Sequence, residues 1–374
     1  MSKRSLRNNS IRISAIFMLL IMLALTLTNL YHFNIGVEND LFIPKITAKS
    51  DVDRIITNPY RIIEEVNPTN LEKTVRDLSS FHTRHTESEF LDDVAYWLTE
   101  KLQGVCSREV YVQNFTYTPD KNNDDANNDS DVNSNGRRQE SFSYDLKNIV
   151  CGKPGSTNNT VMISAHYDSR MEDINNSTAR APGADDNASG VSALLEVARI
   201  LSNVSLNHSI IFVLFSGEEQ GKLGSTYYAD YIDKTDVDLD LLINLDMIGF
   251  SSDGTNEFLV EYDNGNVVSD NDKYSRAIAN FIKSVAEKHI NLNVTLGFLG
   301  NSDYLPFEAL GYTVIGLHDD GVTKNPDHHT TADTPDTLNF DYLTSTTKLV
   351  LATILDLDRL ITTTTDIHPL TVLN

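Results

Sequence analysis

Short apolar runs at residues 161–164, 210–215, 241–245, 258–262 and 313–317 alternate with longer segments of helical periodicity at 189–201, 222–232, 273–289, 303–310 and 341–360. A run of about five apolar residues has the length of a strand covered on both faces, and is too short for a buried helix. Strands of this kind separated by helices imply an α/β fold: a three-layer sandwich with a mostly parallel central sheet flanked by helices. Two more strand-like segments, 110–117 and 146–150, come before this alternation, as do two helical patterns. Leu71, Val75 and Leu78 fall four and three apart, and Phe90, Leu91, Val94, Trp97, Leu98 and Leu102 share one side of a helix over 87–102.

Several function classes lack support. The 374 residues carry 30 Lys and Arg against 53 Asp and Glu, a formal charge of −23 that repels nucleic-acid phosphates. There is no GxGxxG and no GxxxxGK[ST] to cradle a nucleotide, and no GxSxG to present a nucleophilic serine. The two cysteines, Cys106 and Cys151, are too far apart for a CxxC motif. Each sits at the edge of a strand-like segment, which leaves two readings: a bridge worth about 4 kcal/mol of loop entropy, or two unrelated buried thiols.

The amino terminus suggests a membrane anchor. Residues 1–12 hold Lys3, Arg4, Arg7 and Arg12 with no acid, and the uncharged stretch after them reaches the roughly 20 apolar residues needed to span a bilayer. The expected layout is a cytoplasmic basic tail (1–12), a transmembrane signal-anchor (13–33), a stalk (34–66) and a folded domain (67–374) outside the cytoplasm. Secretion after signal cleavage is the alternative. In 120–135, eleven of sixteen residues are Asp or Asn, so a disordered surface loop is expected over about 120–138. Asn-x-Ser/Thr triplets at Asn114, Asn128, Asn158, Asn175, Asn203, Asn207 and Asn293 agree with export.

In folds of this class ligands gather beyond the carboxyl ends of the strands, and here the ionisable residues fall in that place. His166-Tyr167-Asp168 follows the first central run, Ser216-Gly217-Glu218-Glu219 the second and Asp246-Met247 the third. Asp185-Asp186 precedes the 189–201 helix, and His328-His329 comes late in the chain. An Asp pair before a helix is by itself an N-cap, and a Glu pair after a strand a solvated turn. Their joint occurrence in order makes that plain reading improbable. Imidazoles and carboxylates without thiolates suit zinc, and a bridging carboxylate allows two ions about 3.5–4 Å apart.

Together the segments HYDS (166–169), PGADDNASG (182–190), FSGEEQGKLGS (215–225), NLDMIGF (244–250), SDYLPF (302–307) and HHTTADTPDTL (328–338) resemble the zinc aminopeptidases of peptidase family M28, over about residues 70–360. The resemblance implies a zinc-dependent exopeptidase fold, two Zn2+ per chain, and peptide substrates with a free N-terminus. It implies that His166 and Asp246 hold one zinc, Glu219 and His329 the other, and that Asp186 bridges them. Glu218 would be the general base, and Asp168 would orient the His166 ring. Neighbouring side chains are expected to point apart, so only one of His328 and His329 ligates, and the spacing to Thr330, Thr331 and Asp333 favours His329. Asp185 is expected to be structural and Asn187 to stay unmodified inside its sequon; His82 and His85, three apart, are expected at the surface, with a separate metal site as the alternative. Asp303 matches a family position near the site.

Three alternatives share the fold. A glutaminyl-peptide cyclotransferase uses one zinc, a carboxypeptidase of the same superfamily differs in its substrate pocket, and some receptor ectodomains keep the fold with an eroded site. The full set of donors in this chain argues against the last.

Overall fold

The computed structural model describes residues 59–106, 108–119, 143–251, 254–319 and 325–362. The chain divides into two compact units. One, Asn39–Phe115 with Leu146–Asn374, holds the centre of the sheet, the helices and the ionisable residues of interest. Of the other, Met1–Glu38 with Thr116–Asp145, only residues at the outer ends of β1 and β2 are described. The expected tail, membrane helix and Asp/Asn-rich loop lie outside the described residues, as does most of the stalk. Among the described residues no helix is long and apolar enough to cross a membrane.

The elements, in order, are α1 (Pro59–Ile63), α2 (Pro68–Ser80), α3 (Leu91–Val105), β1 (Tyr111–Tyr117), β2 (Tyr144–Lys153), β3 (Asn159–His166), α4 (Gly190–Leu201), β4 (Ser209–Phe215) and α5 (Leu223–Asp233). They continue with β5 (Asp238–Leu245), β6 (Glu257–Tyr262), α6 (Asp272–His289), β7 (Asn293–Phe298), α7 (Leu305–Ala309), β8 (Val314–His318) and α8 (Phe340–Thr362). The eight strands form one sheet in the order β1-β2-β4-β3-β5-β8-β6-β7. Its centre, β4-β3-β5-β8, is parallel, as expected, while β2 runs antiparallel to β4 and β6 to β8. The sheet is therefore mixed, with helices packed against it.

Local chemistry accounts for the elements. The Asn67 side chain accepts the N–H of Thr69 and Pro68 fills the first turn, so α2 starts where it does. Its Leu71, Val75 and Leu78 are buried on one stripe, which matches their spacing in the sequence. In β3, Val161, Met162, Ile163 and Ala165 are all buried, the mark of a strand covered on both faces. On one face Met162, Val213, Phe215, Leu242 and Val314 pack with Tyr228 and Ile232 of α5 and Phe307 of α7. Helix α4 contacts β3, β4 and β5, and α6 contacts β6, β7 and β8.

Four expectations change. The packed region begins before residue 67, because Ile62, Ile63 and Val66 of the presumed stalk are buried and α1 contacts α8. The 87–102 helix starts later, at Leu91. The 303–310 helix shrinks to the five residues of α7. Strand β7 was not expected: its Val294, Leu296 and Phe298 alternate with Asn293, Thr295 and Gly297, the pattern of a half-exposed edge strand rather than the continuous apolar run of a buried one. Of the two cysteine readings, the bridge is formed: Cys106, just after α3, is disulfide-bonded to Cys151 in β2, with Cα atoms 6.5 Å apart.

Candidate metal centre

Because β3, β4 and β5 are parallel neighbours, their carboxyl ends share one rim. His166 ends β3 and stands in register with Phe215, which ends β4. Asp246 comes directly after β5. After Phe215 the chain turns at Gly217, whose φ of +76° suits glycine and whose absent Cβ would meet the Leu223 side chain at 3.0 Å. The Asp168 carboxylate collects the N–H groups of Gly217 (2.9 Å), Glu218 (3.2 Å) and Glu219 (3.1 Å), and the hydroxyl of Thr86 (3.1 Å). That one side chain fixes the turn carrying Glu218 and Glu219.

Asp186 sits in the short turn Ala184–Ser189, where Asp186 and Asn187 leave helical geometry and their peptide bond is cis. The Asp333 carboxylate accepts the N–H of Asp185 (2.9 Å) and of Asp186 (3.2 Å). Asn187 is wholly buried: its Nδ2 donates to Leu245 O (2.8 Å), and its Oδ1 accepts from Gly190 N (3.0 Å) and Met247 N (3.2 Å). Behind the turn lies Arg84, also fully buried, which donates to the carbonyls of Tyr167 (2.7 Å), Pro182 (2.5 Å) and Gly183 (2.8 Å). The buried Asp185 accepts from Gly249 N, Phe250 N and Asn325 Nδ2, a structural role as expected.

The donors converge. His166 Nε2 lies 3.2 Å from Asp186 Oδ1 and 3.2 Å from Asp246 Oδ1. His329 Nε2 lies 3.0 Å from Asp186 Oδ2 and 3.2 Å from Glu219 Oε1. Two groups with the spacing of a metal site result, His166-Asp186-Asp246 and Asp186-His328-His329, and Asp186 belongs to both. Tetrahedral zinc with bonds of about 2.0–2.1 Å sets its donor atoms about 3.3 Å apart, close to these separations. The residues therefore fit two zinc ions in spacing and in chemistry.

Each of these groups sets the charge of its neighbours. Burial opposes protonation of His166, yet Asp246, Asp168 and Asp186 around it raise it well above the ordinary histidine range. Burial alone would raise Asp186, but His166, His328 and His329 hold it well below the carboxylate range. His329, against the pull of burial, is lifted to about 9 by Asp186 and Glu219. Glu218 moves the other way from Asp186: burial, joined by Asp303, Glu219 and Asp246 and opposed by His166, pushes its carboxyl well above the usual range.

Two local expectations are corrected. His328 and His329 do not point apart: His329 adopts a left-handed φ of 56°, and the rings stack with centroids 3.6 Å apart. His328 Nε2 also reaches Asp186 Oδ2, at 3.1 Å, while His329 contacts Glu219 in addition. His85 is not a surface residue; it is buried, and its Nε2 lies 2.8 Å from Ile174 O and 3.1 Å from Gln220. Asp168 faces His166 Nδ1 at 3.6 Å while its oxygens also accept from the Gly217–Glu219 turn.

Reading the sequence assigned no role to Arg84, Arg170 or Ser302. Ser302 Oγ donates to Asp246 Oδ2 (2.6 Å) and accepts from Asn244 Nδ2 (2.8 Å). Arg170 Nε donates to Glu219 Oε2 (2.7 Å). Asp303 is brought to the same place, fully buried and with neither oxygen hydrogen-bonded, and burial with Asp168 and Asp246 pushes it to about 7 against the pull of His166.

The sequence pattern that describes peptidase family M28 matches residues 148–354, more than half of the chain and all of the donors. The chain belongs to peptidase family M28. This M28 member is 29% identical over 339 residues to a probable zinc metalloprotease of Pyrenophora tritici-repentis, covering 78% of this chain and 74% of that one. It is 29% identical over 307 residues to leucine aminopeptidase 1 of Coccidioides posadasii, covering 78% and 71%. Its fold is similar to that of the LapA aminopeptidase of Legionella pneumophila, with a TM-score of 0.62 at 22% identity over 84% and 78% of the two chains. A glutaminyl cyclase of Bacteroides thetaiotaomicron also shares the fold, with a TM-score of 0.58 at 20% identity over 77% and 97%.

Proposed function

We propose that this M28 member is a dinuclear-zinc aminopeptidase that removes N-terminal residues from peptides. The observation that carries the reading is Asp186, whose two oxygens face different histidines and so belong to two donor sets at once. His166 and Asp246 would hold one ion, Glu219 and His329 the other. Zinc bound there supplies Lewis acidity toward the scissile carbonyl and a water that ionises near neutral pH.

The chain's own residues do the rest. Glu218, half-buried and of raised basicity, accepts the proton of the attacking water and returns it to the leaving amine, so the proton count balances when the C–N bond breaks. Asp168 keeps Glu218 and Glu219 on one turn, which holds base and ligand in a fixed relation. Ser302 fixes the outer oxygen of Asp246 and leaves Oδ1 toward His166. The Cys106–Cys151 bridge supports a location outside the cytosol, with residues 13–33 as the anchor.

The test is zinc per chain, with turnover of Leu-, Ala- and Gln-initiated peptides by wild type and Glu218→Gln. Two zincs, with peptide cleavage that the substitution removes, are the expected result. One zinc with cyclisation of N-terminal glutamine moves the assignment to the cyclotransferase reading. Two zincs with release of C-terminal residues point to a carboxypeptidase.

A further inference from the structure

Arg170 belongs to neither donor set, yet it is tied to one of them. Its Nε donates to Glu219 Oε2 at 2.7 Å, and its Nη1 donates to the carbonyl of Met171 at 3.0 Å, so the guanidinium is anchored at both ends. Glu219 is almost fully buried, and its other oxygen, Oε1, faces His329. Two residues further on, the N–H of Glu172 donates to the carbonyl of His329 at 2.8 Å. One short segment thus holds both residues of the Glu219/His329 centre that are not shared with its neighbour: Glu219 through the Arg170 side chain, and His329 through the backbone that supports its left-handed turn. The unshared residues of the other centre have separate neighbours, His166 facing Asp168 and Asp246 bonded to Ser302.

We propose that Arg170 is a positioning residue for the Glu219/His329 centre, committing Glu219 Oε2 to a charge-assisted hydrogen bond so that Oε1 alone is offered to a divalent cation. The proposal rests on the two-metal reading above. It assigns Arg170 control over the affinity of one centre and not of the other. Two effects compete. The guanidinium charge repels a cation, but it is partly exposed to water, which screens it. The hydrogen bond orients a buried carboxylate, and losing such a support weakens metal binding roughly 10–100-fold. Orientation therefore outweighs repulsion. Lysine can restore the charge but not the two-ended anchoring of a planar guanidinium.

The experiment titrates metal-free wild type, Arg170→Met and Arg170→Lys with Zn2+, and with Co2+ for its visible spectrum, while Tm of each metal-free protein checks the fold. The expected result is two ions in wild type. In Arg170→Met one ion should bind as in wild type and the second roughly 10–100-fold more weakly, with Arg170→Lys between them. Unchanged or tighter binding of the second ion in Arg170→Met overturns the inference, as does equal weakening of both ions. A wild type that takes only one ion sinks the two-metal reading itself, and this inference with it.

Discussion

At the carboxyl ends of β3, β4 and β5 the sheet meets the buried Asp168, Asp186, Glu219 and His166, and the partly exposed Asp246. At the amino ends of the same strands it meets a cavity of about 430 Å3 lined by Val150, Ile210, Ile211, Tyr228, Tyr231 and Ile232, among others. The core between the two rims is the same, so the difference lies in the residues that flank each strand at its two ends. Charged groups that repel one another are collected where parallel strands end and a cation can balance them. At the opposite end apolar and aromatic side chains line much of the cavity, with Arg108, Glu109, Lys153, Asp236 and Asp238 also on its wall. One rim should answer to substitution in chemistry, the other in stability.

The largest expected effect is on the metal rim. Glu218→Gln should lower kcat roughly 10²–10⁴-fold, with zinc content and Tm close to wild type. A large drop in Tm would mean that Glu218 holds the fold as well, and would blur the division between the rims.

Tyr228 probes the opposite rim. It is 3% exposed and stands within ring contact of Phe215 (5.9 Å) and Tyr231 (5.8 Å). Tyr228→Ala should cost about 3–5 kcal/mol in denaturant unfolding, while kcat/KM per folded molecule stays within a few-fold of wild type. Loss of turnover at retained fold would break the comparison.

The disulfide comes next. Cys106→Ala with Cys151→Ala should lower stability by about 2–4 kcal/mol without changing metal stoichiometry, and reducing agent should do the same to wild type only.

The smallest effect concerns Asp263, which comes after β6 on the amino-end side because β6 runs antiparallel to β8. Burial, with Glu308 and Asp272 nearby, raises its carboxyl to about 6. A carboxyl raised in the folded state binds its proton more tightly there. Its ionisation therefore costs stability as pH climbs from the unfolded value near 4 through about 6, and below 4 there is no cost. Asp263→Asn should raise Tm by roughly 2–4 °C at pH 7.5, and the gain should vanish by pH 4. A gain that persists at pH 4 would show that charge is not the cause.

The rim difference also decided what the sequence could reveal. The buried strands were legible because a strand covered on both faces must be almost wholly apolar, as in β3 and β4. The site was legible because its residues sit at fixed offsets from those strands. Strand β7 was passed over because its apolar residues alternate, Val294, Leu296 and Phe298, instead of forming the continuous run that marks the buried strands. The side-by-side rings of His328 and His329 depend on one left-handed φ, which an ordinary histidine code does not announce. Arg84 and Arg170 act through contacts 83 and 49 residues away in the chain, and no local pattern records such a distance.

Asn187 carries a consequence of its own. Its amide nitrogen is spent on Leu245 O, and the side chain is wholly enclosed in the turn that presents Asp186. In the extended chain the same Asn-Ala-Ser triplet is open to any enzyme that attaches a sugar to asparagine amides. A sugar attached then could not be accommodated later, and the chain carrying it would be barred from forming the turn. In a compartment that holds such an enzyme, protection of this asparagine would be a matter of timing: the turn would have to close before the triplet is read.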